Sequence, residues 1–324
     1  MFRFGARCLL LLSALSPSVS PAADPWSVFR GQTPDDARLK KAVTLDGYHH
    51  WSPPKSLASW KARREHVRRQ ILVAAGLWPM PPAAELKPVV HGAIDRGEYT
   101  VEKVFFQSFP GVYVTGNLYR PKAGPARKPA VLTPHGHWSN GRFFVRSERD
   151  AKSEVRGGGE SIAVNARYHL QARCVQLARS GCVVFHYDMV GYADSRQIAH
   201  RSGFGDAQAE LRLQSWFGLQ TYNTIRAYDF LEQLPDVDAS RIGVTGASGG
   251  GTQTFILCAI DDRPAAALPA VMVSTAMQGG CVCENASHLR VNTTNVEFAA
   301  LAAPKPYGLT VANDWTVDLM KLGY

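Results

Sequence analysis

The chain has 324 residues, of which 45% are hydrophobic and 19% charged, and this composition excludes an intrinsically disordered protein. Basic residues outnumber acidic ones by 36 to 27, but the two kinds are interspersed, so we expect no nucleic-acid partner. No apolar run approaches the roughly 20 residues that a transmembrane helix needs, so we expect no membrane span.

The first 23 residues are typical of a secretory signal peptide. Arg3 and Arg7 supply a basic start, residues 8–15 are mostly apolar, and residues 20–23 resemble a cleavage region. We therefore predict that the protein is secreted or periplasmic. Removal of the signal peptide would leave an odd number of cysteines, whose pairing the sequence does not predict: Cys174, Cys182, Cys258, Cys281 and Cys283.

A helical extension is predicted to follow over 24–84. Apolar residues recur near helical spacing from 57 to 74, and Gly76 and Pro79 end the pattern. Basic residues fill the positions between them, among them Arg63, Arg64 and Arg68. We expect these arginines to form a solvated face of the helix and not a binding patch.

Two strand-like runs, 100–107 and 112–119, flank Phe109-Pro110-Gly111 and predict an antiparallel hairpin. Short apolar strands then alternate with helical patterns, which is typical of a mostly parallel sheet with helices on both faces. We predict strands at 130–133, 182–187, 242–245, 267–273 and 307–311, and helices at 165–178, 219–234 and 252–259. These elements predict one α/β domain over 85–324.

The segment 241–252 is a short apolar strand that leads into a glycine-rich turn and a helical pattern. It contains Gly246-Ala247-Ser248-Gly249-Gly250, which matches the G-x-S-x-G pattern of a nucleophile on a sharp strand-to-helix turn. Such a turn needs very small residues on either side of the serine, and Gly246 and Gly250 meet that need. The amide of Gly249 would point at a developing oxyanion, assisted by the positive end of the helix.

Two other glycine motifs match these residues less well. A phosphate-binding P-loop needs a lysine after its last glycine, but Thr252 and Gln253 follow Gly251. Residues 245–250 also resemble the glycine turn of short-chain dehydrogenases. Those enzymes have a further glycine at the position of Thr252 and a downstream Tyr-x-x-x-Lys pair, which this sequence lacks. We therefore favour a nucleophilic serine.

A second loop follows the predicted strand at 130–133 and contains Pro134-His135-Gly136-His137-Trp138. A loop in this position supplies the second oxyanion amide of serine hydrolases. The His-x-His of this loop and the Cys281-Val-Cys283 segment each lack partner ligands at recognisable spacing. We therefore predict no metal site.

These motifs resemble the α/β-hydrolase superfamily, and in particular secreted bacterial acetylxylan-esterase-like and dienelactone-hydrolase-like proteins. The resemblance spans 85–324 and is most specific at 134–138, 188–195, 237–254 and 304–316. It implies the α/β-hydrolase fold, with Ser248 as the nucleophile and Asp314 as the acid of a catalytic triad. It also implies that the amides of Gly249 and His137 form the oxyanion hole, and it implies no cofactor.

The sequence departs from this family in the catalytic base. The triad of α/β-hydrolases runs Ser, then Asp or Glu, then His along the chain, but no histidine follows Asp314. We therefore expect that the C-terminal part of the domain is missing from this sequence. Two alternatives stay open, which are His288 as the base and Glu284, which follows an earlier strand, as the acid.

The resemblance and the predicted export favour a serine esterase that deacetylates a carbohydrate through an acyl-enzyme on Ser248. The expected partner is a small-molecule or polysaccharide ester. A noncatalytic binding protein with the same fold is the alternative from another class. A prolyl-oligopeptidase-like serine peptidase is a second enzyme alternative. The sequence does not predict an oligomeric state.

Overall fold

The central feature is a seven-stranded sheet with the strand order β1-β2-β3-β5-β4-β6-β7. The structure is a computed structural model, and it describes residues 47–276, 279–314 and 316–322. The predicted signal peptide, 1–23, and the start of the predicted extension, 24–46, lie outside the described residues. The strands are β1 (Val89–Asp95), β2 (Tyr99–Phe109), β3 (Val112–Pro121), β4 (Lys128–Leu132), β5 (Val183–Tyr187), β6 (Val237–Ala247) and β7 (Ala266–Ala270).

Helices precede, connect and follow these strands. In the described residues they are α1 (Leu57–Ala74), α2 (Glu148–Arg156), α3 (Ala163–Arg167), α4 (His169–Arg179), α5 (Ala207–Leu211), α6 (Trp216–Glu232), α7 (Gly249–Ile260), α8 (Asn295–Ala300) and α9 (Leu319–Leu322). A short 3₁₀ helix spans Gly141–Phe143. Of the helices described, none is both long enough and apolar enough to cross a membrane.

The sheet is antiparallel at one edge and parallel over the rest. Strands β1, β2 and β3 pair antiparallel, and β2 with β3 confirms the predicted hairpin. Strand β3 also pairs antiparallel with β5, whereas β5, β4, β6 and β7 are mutually parallel. Beyond β7, Tyr307 and Thr310 form parallel bridges to Ala267 and Ala270, in the segment where the sequence predicts a strand.

Both faces of the sheet are covered by helices, as predicted. Successive side chains of a strand point to opposite faces, and β5 shows this alternation. Phe185 packs in the main core with Phe230 of α6, whereas Val184 packs with Cys174 and Ala178 of α4 on the other face. All five residues of β5 are buried, as expected for a parallel strand between two helical layers.

Some elements differ from the prediction. Strand β1 is absent from the predicted elements, and all seven of its residues are exposed, so it has no buried face to produce an alternating pattern. The helix predicted at 165–178 is divided into α3 and α4 at Tyr168. The strand predicted at 267–273 ends at Ala270, because Val271 and Met272 adopt positive φ values of 60° and 69°.

The prediction of a solvated arginine face on α1 is wrong for three residues. Arg63 forms an ion pair with the fully buried Glu297 of α8, and Arg64 and Arg68 both pair with Asp262 after α7. Val67 and Ile71, which lie on the same side of α1 as these arginines, pack into the core. These contacts join α1 to α8 and to the segment that follows α7. The predicted boundary between 24–84 and 85–324 stays a prediction.

Candidate active site

Ser248 lies at the sharp turn between the end of β6 and the start of α7. Its φ of 56° and ψ of −129° are in a region that residues with a side chain seldom adopt, and this conformation projects a side chain from the turn. The backbone N–H of Ser248 donates to the carbonyl of Ala270 at the end of β7, with an N–O distance of 3.2 Å. The serine is half-buried. This is the geometry that the G-x-S-x-G pattern predicts.

The glycines on either side of Ser248 are in close contact with the loop after β4. A Cβ atom on Gly246 would lie 2.5 Å from the carbonyl oxygen of Pro134, and one on Gly250 would lie 2.3 Å from the same atom. Gly246 would also meet the Gly250 carbonyl at 2.6 Å. Both positions therefore exclude any side chain, because backbone atoms cannot move away as a flexible side chain can.

The loop after β4 packs directly against Ser248. A Cβ atom on Gly136 would lie 2.6 Å from Cβ of Ser248 and 3.0 Å from its Oγ. His137 follows in this loop, and Gly249 begins α7, whose first amides have no partner within the helix. The backbone of 136–137 and the N-terminus of α7 therefore border the same space above Ser248. An anion there would also meet the positive end of the helix dipole.

A buried ion pair anchors this loop to the end of β5. Asp188 accepts hydrogen bonds from Arg142 and, at 2.6 Å, from Oγ1 of Thr115. Arg142 also pairs with Asp194 in the turn after β5. Burial raises the pKa of Asp188, and the charge of Arg142 opposes this effect. Through Asp188 and Asp194, the acidic turn 187–195 therefore has a structural role. It fixes the position of Arg142 and of the 3₁₀ helix that carries this arginine near His137.

The two candidate acids, Glu284 and Asp314, have different surroundings. Glu284 lies at the turn, and its Oε1 would be 3.2 Å from a Cβ atom on Gly249. This atom is 3.6 Å from Nδ1 of His137, and the Glu284 side chain is only 5% exposed. Burial raises the pKa of Glu284. The side chain of Asp314 accepts local hydrogen bonds from the amide and hydroxyl of Thr316, at 2.8 and 2.6 Å.

No histidine of the described residues forms a hydrogen bond with Oγ of Ser248. His288 is exposed, and its carbonyl accepts a hydrogen bond from Gln70 of α1 at 3.2 Å. His137 and His200 lie near the turn, but each directs Nε2 at a cysteine, at 3.0 Å from Cys283 and 3.4 Å from Cys281. The turn at Ser248, the loop after β4 and Glu284 are therefore close together, whereas these contacts do not identify a base.

Comparisons with known proteins bear on the fold. No family model matches the chain. YtaP of Bacillus subtilis strain 168, whose name suggests a hydrolase, is 28% identical over 169 residues, which are 52% of this chain and 52% of YtaP. Methylesterase BT1017 matches with a TM-score of 0.62 and 26% identity, over 84% of this chain and 55% of its own. This chain therefore spans about half the length of both relatives.

A third protein, BF1801 of Bacteroides fragilis NCTC 9343, whose name suggests an acetyl xylan esterase, matches with a TM-score of 0.58 and 17% identity. This match covers 82% of this chain and 70% of the other. The chain has the α/β-hydrolase fold. The fold and the superfamily resemblance that the sequence predicts are both confirmed.

One residue at this site is not indicated by the sequence, and it is His200. It lies in the long loop between β5 and α5, outside any motif, so no spacing signal could identify it. The structure brings it to His137, Cys281 and Cys283, and the potential ligand atoms of the four side chains all lie within 4.8 Å of one another. His137 and the two cysteines belong to two separate segments of the sequence, each of which lacks partner ligands at recognisable spacing. Only the fold brings these segments together.

Proposed function

We propose that the protein is a serine carboxylic-ester hydrolase that acts on an ester of a carbohydrate, with acetyl esters as the first candidates. The observation that carries this proposal is the position of Ser248, on a strained turn at the N-terminus of α7 with the 136–137 backbone packed against it. The names of the matched esterases support an ester substrate. The signal-like residues 1–23 support an exported enzyme.

The proposed reaction has two steps. Oγ of Ser248 attacks the ester carbonyl carbon and loses its proton to a base, and the carbonyl oxygen becomes an oxyanion. The amides of Gly249 and His137 donate to that oxyanion, the C–O bond breaks, and the sugar hydroxyl leaves with a proton. Water then attacks the acyl-serine, which releases the carboxylic acid and restores Ser248.

The acid of the triad has two candidates. Asp314 is the one that the resemblance implies, and it lies after the strand-like segment that bridges to β7. Glu284 is supported by its burial, its contact with Gly249 and its 3.6 Å distance from a histidine nitrogen. The prediction that the base lies in a part of the domain missing from this sequence stays a prediction.

Ester hydrolysis by the protein expressed from its complete reading frame tests the proposal. The substrates are acetylated xylan, methyl-esterified pectin and a short peptide, which separate an acetyl esterase, a methylesterase and a peptidase. We expect Ser248→Ala to reduce ester turnover at least about a thousandfold, because the nucleophile is lost while the fold is kept. Ser153→Ala, on an exposed position of α2, should retain the wild-type rate.

Equal ester turnover by the wild type and Ser248→Ala would contradict the proposal. Cleavage of the peptide without ester turnover would favour the peptidase alternative. A folded wild-type protein that binds acetylated xylan without turning it over would favour the noncatalytic alternative.

A further inference from the structure

Four potential metal ligands converge next to Ser248, and they come from three loops at the same edge of the sheet. His137 follows β4, His200 follows β5, and Cys281 and Cys283 follow β7. Both cysteines are buried, with relative exposures of 5% and 2%. None of the five described cysteines forms a disulfide. Elements distant in sequence therefore place two imidazoles and two thiols in one cluster.

The distances within this cluster suit a tetrahedral metal ion. Zn–S bonds of about 2.3 Å and Zn–N bonds of about 2.0 Å put neighbouring ligand atoms about 3.3–3.8 Å apart. Nε2 of His137 is 3.0 Å from Sγ of Cys283, and Nε2 of His200 is 3.4 Å from Sγ of Cys281. The whole set lies within 4.8 Å. Shifts below the length of one bond would bring all four atoms to the spacing of a bound ion.

The surroundings orient both rings for this role. Metal-bound histidines usually present their other ring nitrogen to a carbonyl or carboxylate. Nδ1 of His200 is 3.2 Å from the carbonyl oxygen of Val190, and Nδ1 of His137 is 3.6 Å from Oε1 of Glu284. Nε2 is thus the nitrogen that each ring directs at the cysteines. Nε of Arg201 donates toward Sγ of Cys281, at a distance of 3.4 Å.

We propose that His137, His200, Cys281 and Cys283 bind one Zn²⁺ ion as a structural site. Two cysteines and two histidines are a ligand set typical of structural zinc, and four protein ligands leave no open position for substrate. The ion would join the loops after β4, β5 and β7. One of these loops carries the His137 amide of the proposed oxyanion hole, and another carries Glu284 beside Cys283. The site would therefore hold the active-site loops together.

Metal analysis of the purified protein tests this proposal. The protein is prepared under reducing conditions with Zn²⁺ supplied, and its zinc content is measured by plasma mass spectrometry. We expect one equivalent of zinc per chain. Cys281→Ser, Cys283→Ser and His200→Gln should each lose most of it, whereas Cys182→Ser, at a half-buried cysteine outside the cluster, should keep it.

Cobalt substitution gives a second readout that does not depend on activity. Co²⁺ bound by two thiolates produces intense sulfur-to-metal charge-transfer absorption in the near ultraviolet, which Cys281→Ser should weaken and Cys182→Ser should not change. If a cluster variant fails to fold, the wild type from which zinc has been removed with a chelator is measured in place of that variant. We then expect a lower melting temperature that added Zn²⁺ restores.

A folded, reduced wild-type protein without bound zinc would overturn the proposal, as would equal zinc in the cluster variants and Cys182→Ser. A disulfide between Cys281 and Cys283 that persists under these reducing conditions, seen as the loss of two hydrogens in the peptide mass, would also overturn it. Ser248→Ala should keep its zinc. The zinc site and the esterase proposal can therefore fail independently.

Discussion

The backbone of Ser248 is held in an unfavourable conformation by its neighbours. A serine at φ 56° and ψ −129° costs about 1–3 kcal/mol relative to a relaxed residue. The hydrogen bond to Ala270 and the close contact of Gly246 and Gly250 with Pro134 maintain the turn. Strain of this kind is typical of functional sites, and here it directs a hydroxyl toward the loop after β4.

His186 of β5 is a second residue whose surroundings matter, because they shift its pKa and so make the stability of the protein depend on pH. Its ring is fully buried, and Nδ1 lies 2.6 Å from the carbonyl oxygen of Thr133. Burial lowers the pKa of His186 well below its ordinary 6.5. Arg173, His135 and Arg142 lower it further, whereas the Thr133 carbonyl raises it. The imidazole is therefore neutral in the folded protein.

Because the unfolded chain binds a proton that folded His186 does not, the free energy of unfolding falls as the pH drops below about 6.5. One such proton changes it by about 1.4 kcal/mol per pH unit. His186→Asn retains an N–H for the Thr133 carbonyl but cannot be protonated. Its free energy of unfolding should therefore depend less steeply on pH between about pH 5 and pH 6.5. Urea unfolding at several pH values measures this slope.

His66→Asn, at an exposed position of α1, is the matched control for a histidine-to-asparagine change. The comparison uses slopes, so a constant loss of stability in His186→Asn does not affect it. Identical slopes for the wild type and His186→Asn would show that His186 is protonated in the folded state.

At the scale of elements, α1 is attached to α8 by a buried charge. Glu297 has no exposed side-chain surface, and it accepts hydrogen bonds from Nε and Nη2 of Arg63, both at 2.7 Å. Oγ1 of Thr293 donates to the same carboxylate at 2.6 Å. A fully buried carboxylate without its cation is strongly destabilising, so α1 is required for the stability of α8.

Arg63→Ala should lower the free energy of unfolding by about 3–5 kcal/mol, because it leaves the Glu297 carboxylate buried and unpaired. Arg63→Met combined with Glu297→Leu should recover much of this loss, since no charge then remains buried. Lys61→Ala, an exposed position on the same helix, should change stability by less than about 0.5 kcal/mol. Denaturant unfolding measures all three, and a loss below about 1 kcal/mol for Arg63→Ala would refute the assigned role.

Most elements of the parallel region could be predicted because buried strands and their helices leave strong apolar patterns. β4, β5 and α7 lie close to their predicted ranges, and β6 contains its predicted range but begins five residues earlier. The exposed edge strand β1 leaves no such pattern. The ion pairs of the α1 arginines could not be predicted from the sequence either. Their partners, Glu297 and Asp262, are about 200 residues away in sequence, and only the tertiary fold brings them together.

At the scale of the whole molecule, the site lies at the point where the order of the strands in the sheet reverses. The chain passes from β4 to β5 on one side of β4 and then crosses from β5 to β6 on the other side. Ligands of α/β proteins bind at such a point, beyond the carboxyl ends of the strands. The loops after β4, β5, β6 and β7 meet there. One fold therefore brings together the turn at Ser248, the proposed oxyanion loop and the proposed zinc cluster.

The same topology explains which site residues a sequence can indicate. Ser248 and His137 lie directly after buried strands, so their positions follow from strand ends. Glu284 and His200 lie in longer connections whose path depends on packing between loops. Glu284 could be considered only as an alternative acid, and His200 could not be identified at all. Asp314 stays a prediction that rests on the resemblance.

The measurement that tests the esterase proposal most directly is covalent labelling of the protein, expressed from its complete reading frame, with a fluorophosphonate. An activated serine attacks the phosphorus atom and displaces fluoride, which leaves a stable adduct. We predict that peptide mass spectrometry finds this adduct on Ser248 and that Ser248→Ala is not labelled. A folded wild-type protein without an adduct, or with one on another serine, would contradict the assignment of Ser248 as the nucleophile.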